Sequence, residues 1–189
     1  RIRGKAVSFS LACPKMRLYI REMTQMLTES SVHPDTPIFI SDQLKKELQQ
    51  WLNPTYVTLI HTWLPKAHNS LTNVLFTDAS QAAQGYLFID QHGAQVSAMP
   101  FSEQNSAEAI HIKEAIAILY ALEQNVMSLM GTHLNMFCDN MAVVTAIKNL
   151  GCRNPRLNHI IRQIIEFCSD LDITYTIVWI STSYQLADG

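Results

Sequence analysis

The sequence predicts an α/β fold, a mixed five-stranded sheet flanked by helices, with a small helical extension ahead of it. Three observations carry that expectation. Three short alternating-apolar stretches follow one another between residues 73 and 101 with only turn-like residues between them. Two further strand-like stretches are each reached through helices, and the first 70 residues read as two helices and a linker. Strands joined by tight turns pair antiparallel, whereas strands reached through helices are parallel crossovers, so one sheet contains both kinds of pairing.

Taken in order, Lys15 to Leu27 places Met16, Tyr19, Ile20, Met23, Met26 and Leu27 at helical spacing with charges between them, an amphipathic helix. Pro34 and Pro37 break the chain. Ser41 can cap a second helix through Leu44, Leu48, Trp51 and Leu52, which Asn53-Pro54 ends. The clearest shift in composition falls at Pro65 to Ser70, which sets a boundary between a helical segment, 1–70, and a sheet-containing domain, 71–189. The domain opens with strands at Asn73–Asp78 and Gly85–Asp90, the reversal Gln91-His92-Gly93, and a third strand ending near Phe101. Asn105 is the expected N-cap of a long helix, Glu108 completing a capping-box-like arrangement, with apolar residues continuing to Leu129. Then come a strand at Leu134–Cys138, a helix at Met141–Asn149, a helix at Arg156–Ser169 after Pro155, a strand at Thr174–Ile180, and the beginning of another helix.

With 189 residues, 48% of them hydrophobic, the chain supports one full core and a small appended unit. No apolar run approaches the 18 or more residues of a membrane span and no secretory pattern opens the chain, so the expectation is a soluble, intracellular protein. Cys13, Cys138, Cys152 and Cys168 form no C-x-x-C pair, which indicates neither a disulfide framework nor a zinc site. The net charge of −2 divides unevenly: residues 1–70 hold nine Lys and Arg against five Asp and Glu, residues 71–189 five against eleven. An acidic domain does not bind phosphates by charge alone. Divalent cations bound to some of those acids would change the local sign.

Four acids stand out: Asp78 at the end of the first strand, Glu114 in the first half of the long helix, Asp139 at the end of the fourth strand, and Asp188 at the start of the last helix. If the first and fourth strands are neighbours at the sheet centre, Asp78 and Asp139 share one region and Glu114 enters from the helix packed on the sheet. Clustered carboxylates oppose one another's ionisation, and a pair of divalent cations relieves that repulsion. Oxygen-only ligation favours Mg²⁺ or Mn²⁺ over zinc, and two such ions can activate a water on one side of a phosphodiester and stabilise the leaving oxygen on the other.

The residues around these acids resemble the ribonuclease H family. Phe76-Thr77-Asp78-Ala79-Ser80 is similar to its first-strand Asp motif, Ile112-Lys113-Glu114-Ala115-Ile116-Ala117 to its helix-borne Glu motif, Phe137-Cys138-Asp139-Asn140 to its third motif and Leu186-Ala187-Asp188 to its last, in the family's order across 73–188. The resemblance implies a ribonuclease H-like sheet and cleavage of the RNA strand of RNA–DNA hybrids, with two Mg²⁺ or Mn²⁺ ions held by Asp78, Glu114, Asp139 and Asp188. The stretches Arg17-Leu18-Tyr19-Ile20-Arg21 and Ile40 to Leu52 resemble the thumb-to-connection region ahead of ribonuclease H in retrotransposon reverse transcriptases; the chain itself carries no polymerase aspartate motif, so a polymerase domain of the same polyprotein would lie upstream or be lost.

The chain departs from the family's pattern at two places. Trp179 to Ala187 lacks the His that members often carry before the last Asp, and Asn149 to Arg156 is too short for a basic handle. Grip on a hybrid would fall to Arg1, Arg3, Lys5, Lys15, Arg17 and Arg21. Plainer readings stand beside these: Asp78 and Asp139 as strand-end turn residues, Asp188 as a helix cap, Glu108 as a competitor to Glu114, His111 as a buried histidine or a ligand, Ser80 and Asn140 as turn formers or substrate contacts. The alternative function is a domesticated or weakly active retroelement fragment that binds protein, through its apolar N-terminal helix, or nucleic acid. A DNA-directed nuclease on the same fold is a third option.

Overall fold

The computed structural model describes residues 2–12, 14–29, 39–53 and 73–187. The Pro34–Pro37 break, the Pro65–Ser70 boundary, Arg1 and Asp188 lie outside them. The chain divides into two compact units, residues 1–67 and 68–189.

In the first unit, α1 spans Ile2–Ala12, a 3-10 turn Pro14–Tyr19, α2 Arg21–Glu29 and α3 Asp42–Gln50. Ser41 caps α3 as its sequence position suggests, accepting from the Leu44 N–H at 3.1 Å. The single helix expected over Lys15–Leu27 is instead broken at Ile20. Two contacts from α3 account for the break. The Trp51 indole N–H donates to the Tyr19 carbonyl at 2.7 Å, using an acceptor that a continuous helix would need, and the buried Glu47 carboxylate accepts from the Glu22 N–H at 2.9 Å. The apolar stripe is consumed within the unit: Met16, Tyr19 and Met23 are buried, Ala6, Met23 and Leu44 form a core, and Ile20, Met26, Leu48 and Trp51 pack on it. Most of the helical face expected to receive a protein partner is therefore internal. Helix α1 has no counterpart in the sequence reading, because its apolar residues have little helical periodicity.

The second unit is the expected mixed sheet. Strands β1 (Asn73–Ala79), β2 (Ala83–Asp90), β3 (Gly93–Pro100), β4 (His133–Cys138) and β5 (Thr174–Trp179) lie in the order β3-β2-β1-β4-β5. Both hairpin pairings are antiparallel, and β1–β4 and β4–β5 are parallel. The long helix is shorter than expected. Asn105 falls inside a one-turn helix α4 (Glu103–Ser106), and α5 runs from Ile110 to Gln124 with Ala109 at its N-cap, followed by the short α6 (Val126–Leu129). Glu108 completes no capping box, because its carboxylate pairs with Arg156 at 2.6 Å.

Helix α5 packs on β1, β2 and helix α8 (Pro155–Asp170), burying Ile112, Ala115, Ala117, Ile118, Ala121 and Leu122. Its three alanines let the helix backbone approach the sheet closely. Helix α7 (Met141–Lys148) ends without room for a handle. Leu150 takes a left-handed φ of 55°, the Gly151 N–H reaches back to the Ala146 carbonyl at 2.8 Å, and a Cβ on Gly151 (φ 147°) would meet Asn158 Oδ1 at 2.8 Å. Among the described residues no helix is long and apolar enough to cross a membrane.

Candidate metal centre

Two parallel strands part at the site. The β1–β4 ladder ends at the pair Phe76 and Phe137, whose rings stack at 4.8 Å, and beyond it each strand carries one acid, Asp78 within β1 and Asp139 just past β4. The carboxyl ends of adjacent strands are a usual location for sites in open α/β sheets, since no side chain of the ladder fills the opening. Both aspartates are half-buried.

Glu114 enters from α5 and is 3% exposed. Burial, then the charges of Asp78 and Asp139, push its carboxyl up to about 8, against the lowering effect of a hydrogen bond from the backbone of Ala79. Its Oε2 has no hydrogen-bond partner. A carboxyl group that is desolvated, flanked by two like charges and unsatisfied at one oxygen is costly unless a cation enters the arrangement. Three of the four acids named from the sequence are thus brought within electrostatic reach of one another; the fourth, Asp188, lies outside the described residues.

The segment leading to Asp188 is nevertheless held close to this region. Gln185, 6% exposed, donates from Nε2 to the Thr77 carbonyl at 2.9 Å, one residue before Asp78. The Ala187 carbonyl lies 3.9 Å from where a Cβ on Gly85 would stand, and Gly85 is the cross-strand partner of Asp78. A Cβ at position 85 would thus stand in ordinary van der Waals contact with that carbonyl.

Several contributors were not read from the sequence. Thr182 Oγ1 donates to Asp139 Oδ2 at 2.9 Å, and the Trp179 indole N–H donates to the Asp139 carbonyl at 2.8 Å, so the β5 end orients this aspartate. Lys113 is fully buried; its Nζ donates to the Gln81 carbonyl at 2.6 Å and to Gln81 Oε1 at 3.3 Å and sits 5.3 Å from the Phe101 ring centre, pinning the turn that follows Asp78. Cys138 lies with Glu114 and Asp139 in a group whose potential ligand atoms are all within 4.8 Å of one another. Burial pushes its thiol up to about 12. The Lys113, Trp179 and Thr182 contacts span 32 to 43 positions of sequence, which no local motif records.

Other candidates have hydrogen-bond partners of their own. Ser80 Oγ accepts from the Ala83 N–H at 2.9 Å in the β1–β2 turn, and Asn140 caps α7 by accepting from the Ala142 N–H at 3.1 Å. His111 lies 3.4 Å from Asn154 through its Nε2, and Glu108 holds Arg156. Arg3, Lys5, Arg17 and Arg21 belong to the first unit.

The family described as reverse transcriptase-like matches residues 71–184. No curated protein matches by sequence. Among solved structures, the N-terminal RNase H domain of a Mycobacterium tuberculosis protein, fused to maltose-binding protein, superposes with a TM-score of 0.52 at 15% identity, over 63% of this chain and 89% of that one. RNase H1 from the halophilic archaeon Halobacterium salinarum gives 0.50 at 13% identity, over 62% and 91%. An RNase H1 isolated from compost, solved with an RNA/DNA hybrid, gives 0.52 at 15%, over 63% and 91%. At these identities the likeness is one of fold.

Proposed function

The chain belongs to the reverse transcriptase-like family, and from that premise we propose that its second unit is a divalent-metal-dependent endonuclease that cuts the RNA strand of RNA–DNA hybrids, as the ribonuclease H part of a retroelement reverse transcriptase. The observation that carries this reading is Glu114: a buried carboxyl raised to about 8, with an unpartnered Oε2, between the charges of Asp78 and Asp139. All-oxygen carboxylate donors fit Mg²⁺ or Mn²⁺. Asp78, Glu114 and Asp139 would hold two such ions, with Asp188 as the fourth ligand.

The ions, when bound, supply Lewis acidity and an activated water for in-line displacement at a phosphodiester. The chain's own groups do the positioning. The Ala79 backbone holds Glu114, Thr182 fixes one oxygen of Asp139, and Gln185 ties the segment before Asp188 to the strand that bears Asp78. Selection of RNA over DNA at the cleaved strand would rest on the 2′-hydroxyl and on the shape of the hybrid. A polymerase domain in the same polyprotein and the basic residues of the first unit would contribute the remaining grip.

A gel assay with labelled hybrid, double-stranded RNA and double-stranded DNA in Mg²⁺ tests the proposal. The expected result is cleavage of the RNA strand of the hybrid alone, lost in EDTA and after Asp78→Asn. Equal cutting of double-stranded DNA, or full activity in Asp78→Asn, overturns it.

A further inference from the structure

Cys138 adds to the carboxylate centre a donor of a different chemical kind. Its Sγ lies within 4.8 Å of carboxylate oxygens of both Glu114 and Asp139, and those oxygens lie within the same distance of each other. The cysteine has no solvent exposure and Glu114 has 3%. Glu114 Oε2 is buried without a hydrogen-bond partner, an acceptor left open in the side chain that belongs to this group. The Asn140 N–H points at Sγ from 3.4 Å, a donor that remains to stabilise a thiolate once the thiol proton has gone. One sulfur and two carboxylate oxygens do not suit a hard cation, which passes over thiols. They suit Zn²⁺ or Cd²⁺, which combine cysteine sulfur with carboxylate oxygen in three-ligand sites and leave a fourth position to water.

We propose that Cys138, Glu114 and Asp139 form a binding site for a thiophilic divalent cation of the zinc class, which competes with the hard ions for the same carboxylates and so inhibits the enzyme. The competition half of this rests on the function proposed above; the binding half does not. On binding, the Sγ–H bond breaks, its proton leaves to water, and the sulfur lone pair bonds to the metal, with no electron transferred. The spacing of the cysteines along the chain conceals the site because its three donors come from a helix and from the end of a strand, and only two of them are adjacent in sequence.

The test uses the whole chain, stripped of metal, titrated with Cd²⁺ while the thiolate-to-cadmium charge-transfer absorption is followed in the ultraviolet, and separately with Mn²⁺ followed by its electron paramagnetic resonance. Cys138→Ala, and Cys138→Val in case the smaller side chain unfolds the core, are compared with Cys168→Ala, a buried thiol outside the group. The expected result is a saturating Cd²⁺ band in the wild type and in Cys168→Ala that Mn²⁺ reverses. Replacing Cys138 should abolish it and weaken Cd²⁺ about tenfold more than it weakens Mn²⁺. Zn²⁺ should inhibit hybrid cleavage in excess Mg²⁺, and less so once Cys138 is replaced. A band that persists without Cys138 overturns the proposal, and a Cys138-dependent band that bound Mn²⁺ leaves unchanged overturns its competition half. Wild-type Mn²⁺ binding without any Cd²⁺ band refutes this inference alone, whereas a Cys138-dependent band without Mn²⁺ binding upholds the thiophilic site and refutes the function proposed above.

Discussion

Gln185 and Thr77, 108 positions apart in the chain, are joined by a 2.9 Å hydrogen bond from the Gln185 Nε2 to the Thr77 carbonyl. The β1–β4 ladder ends at Phe76, so this carbonyl faces the parting of the strands, and Gln185 takes up an acceptor there. The amide's Oε1 in turn accepts from the Ala187 N–H at 3.4 Å. One buried side chain thus connects the residue before Asp78 with the residue before Asp188.

Replacing that side chain with an apolar one leaves a buried carbonyl without its donor. Gln185→Leu is expected to cost about 1–3 kcal/mol of stability, read from urea unfolding. It should also weaken Mn²⁺ binding if the segment carries a ligand. Unchanged Mn²⁺ affinity in a folded Gln185→Leu chain removes Asp188 from the set.

Thr182 acts on Asp139 through a single hydroxyl. Groups that orient a metal ligand typically contribute 10- to 100-fold in metal affinity, so Thr182→Val should weaken Mn²⁺ binding by roughly that factor. Thr182→Ser, which keeps the donor, should restore most of it. Equal losses in Val and Ser variants, measured by calorimetry, would assign Thr182 to packing instead.

The pH dependence follows from Glu114, whose carboxyl moves from the ordinary 4.5 up to about 8. Between those values the folded, metal-free chain keeps a proton that the unfolded chain has released. Its contribution to stability is complete below about pH 4.5 and is lost as pH rises towards about 8, at up to about 1.4 kcal/mol per pH unit. Urea unfolding in EDTA across this window should show the decline, and Glu114→Gln should flatten it. Divalent ions compete with that proton, so Mn²⁺ affinity should rise with pH through the same window.

Lys113 is an ammonium group held by one backbone carbonyl, one side-chain amide oxygen and an aromatic face. Lys113→Met keeps the volume but leaves the Gln81 carbonyl without its donor, an expected cost of about 1–3 kcal/mol. Hydrogen exchange at Gln81 and Ala82 should accelerate as the turn after Asp78 loosens. Protection unchanged from wild type would show that the turn holds itself through Ser80.

Much of the fold was legible because its signals are local. Alternating burial along β1 and β2, Ser41 as a cap, and a helix beginning at Pro155 are decided within a few residues. The errors fell where distant contacts override a local pattern. The helix through Lys15–Leu27 breaks because Trp51 and Glu47 claim backbone groups around Ile20, and the capping box at Asn105 fails because Glu108 is drawn to Arg156, 48 positions away.

The site divides in the same way. The sequence by itself determined the α/β class, the strand ends on which Asp78 and Asp139 sit, and the helical position of Glu114, because strand and helix periods dictate which residues reach an end or a face. Only the tertiary structure decided that β1 and β4 are neighbours that part after Phe76, that Glu114 is buried between two charges with an open oxygen, and that Thr182, Gln185, Lys113 and Cys138 support or join the centre. Those are properties of desolvation and of pairing between remote groups, and neither exists until the chain has folded around them.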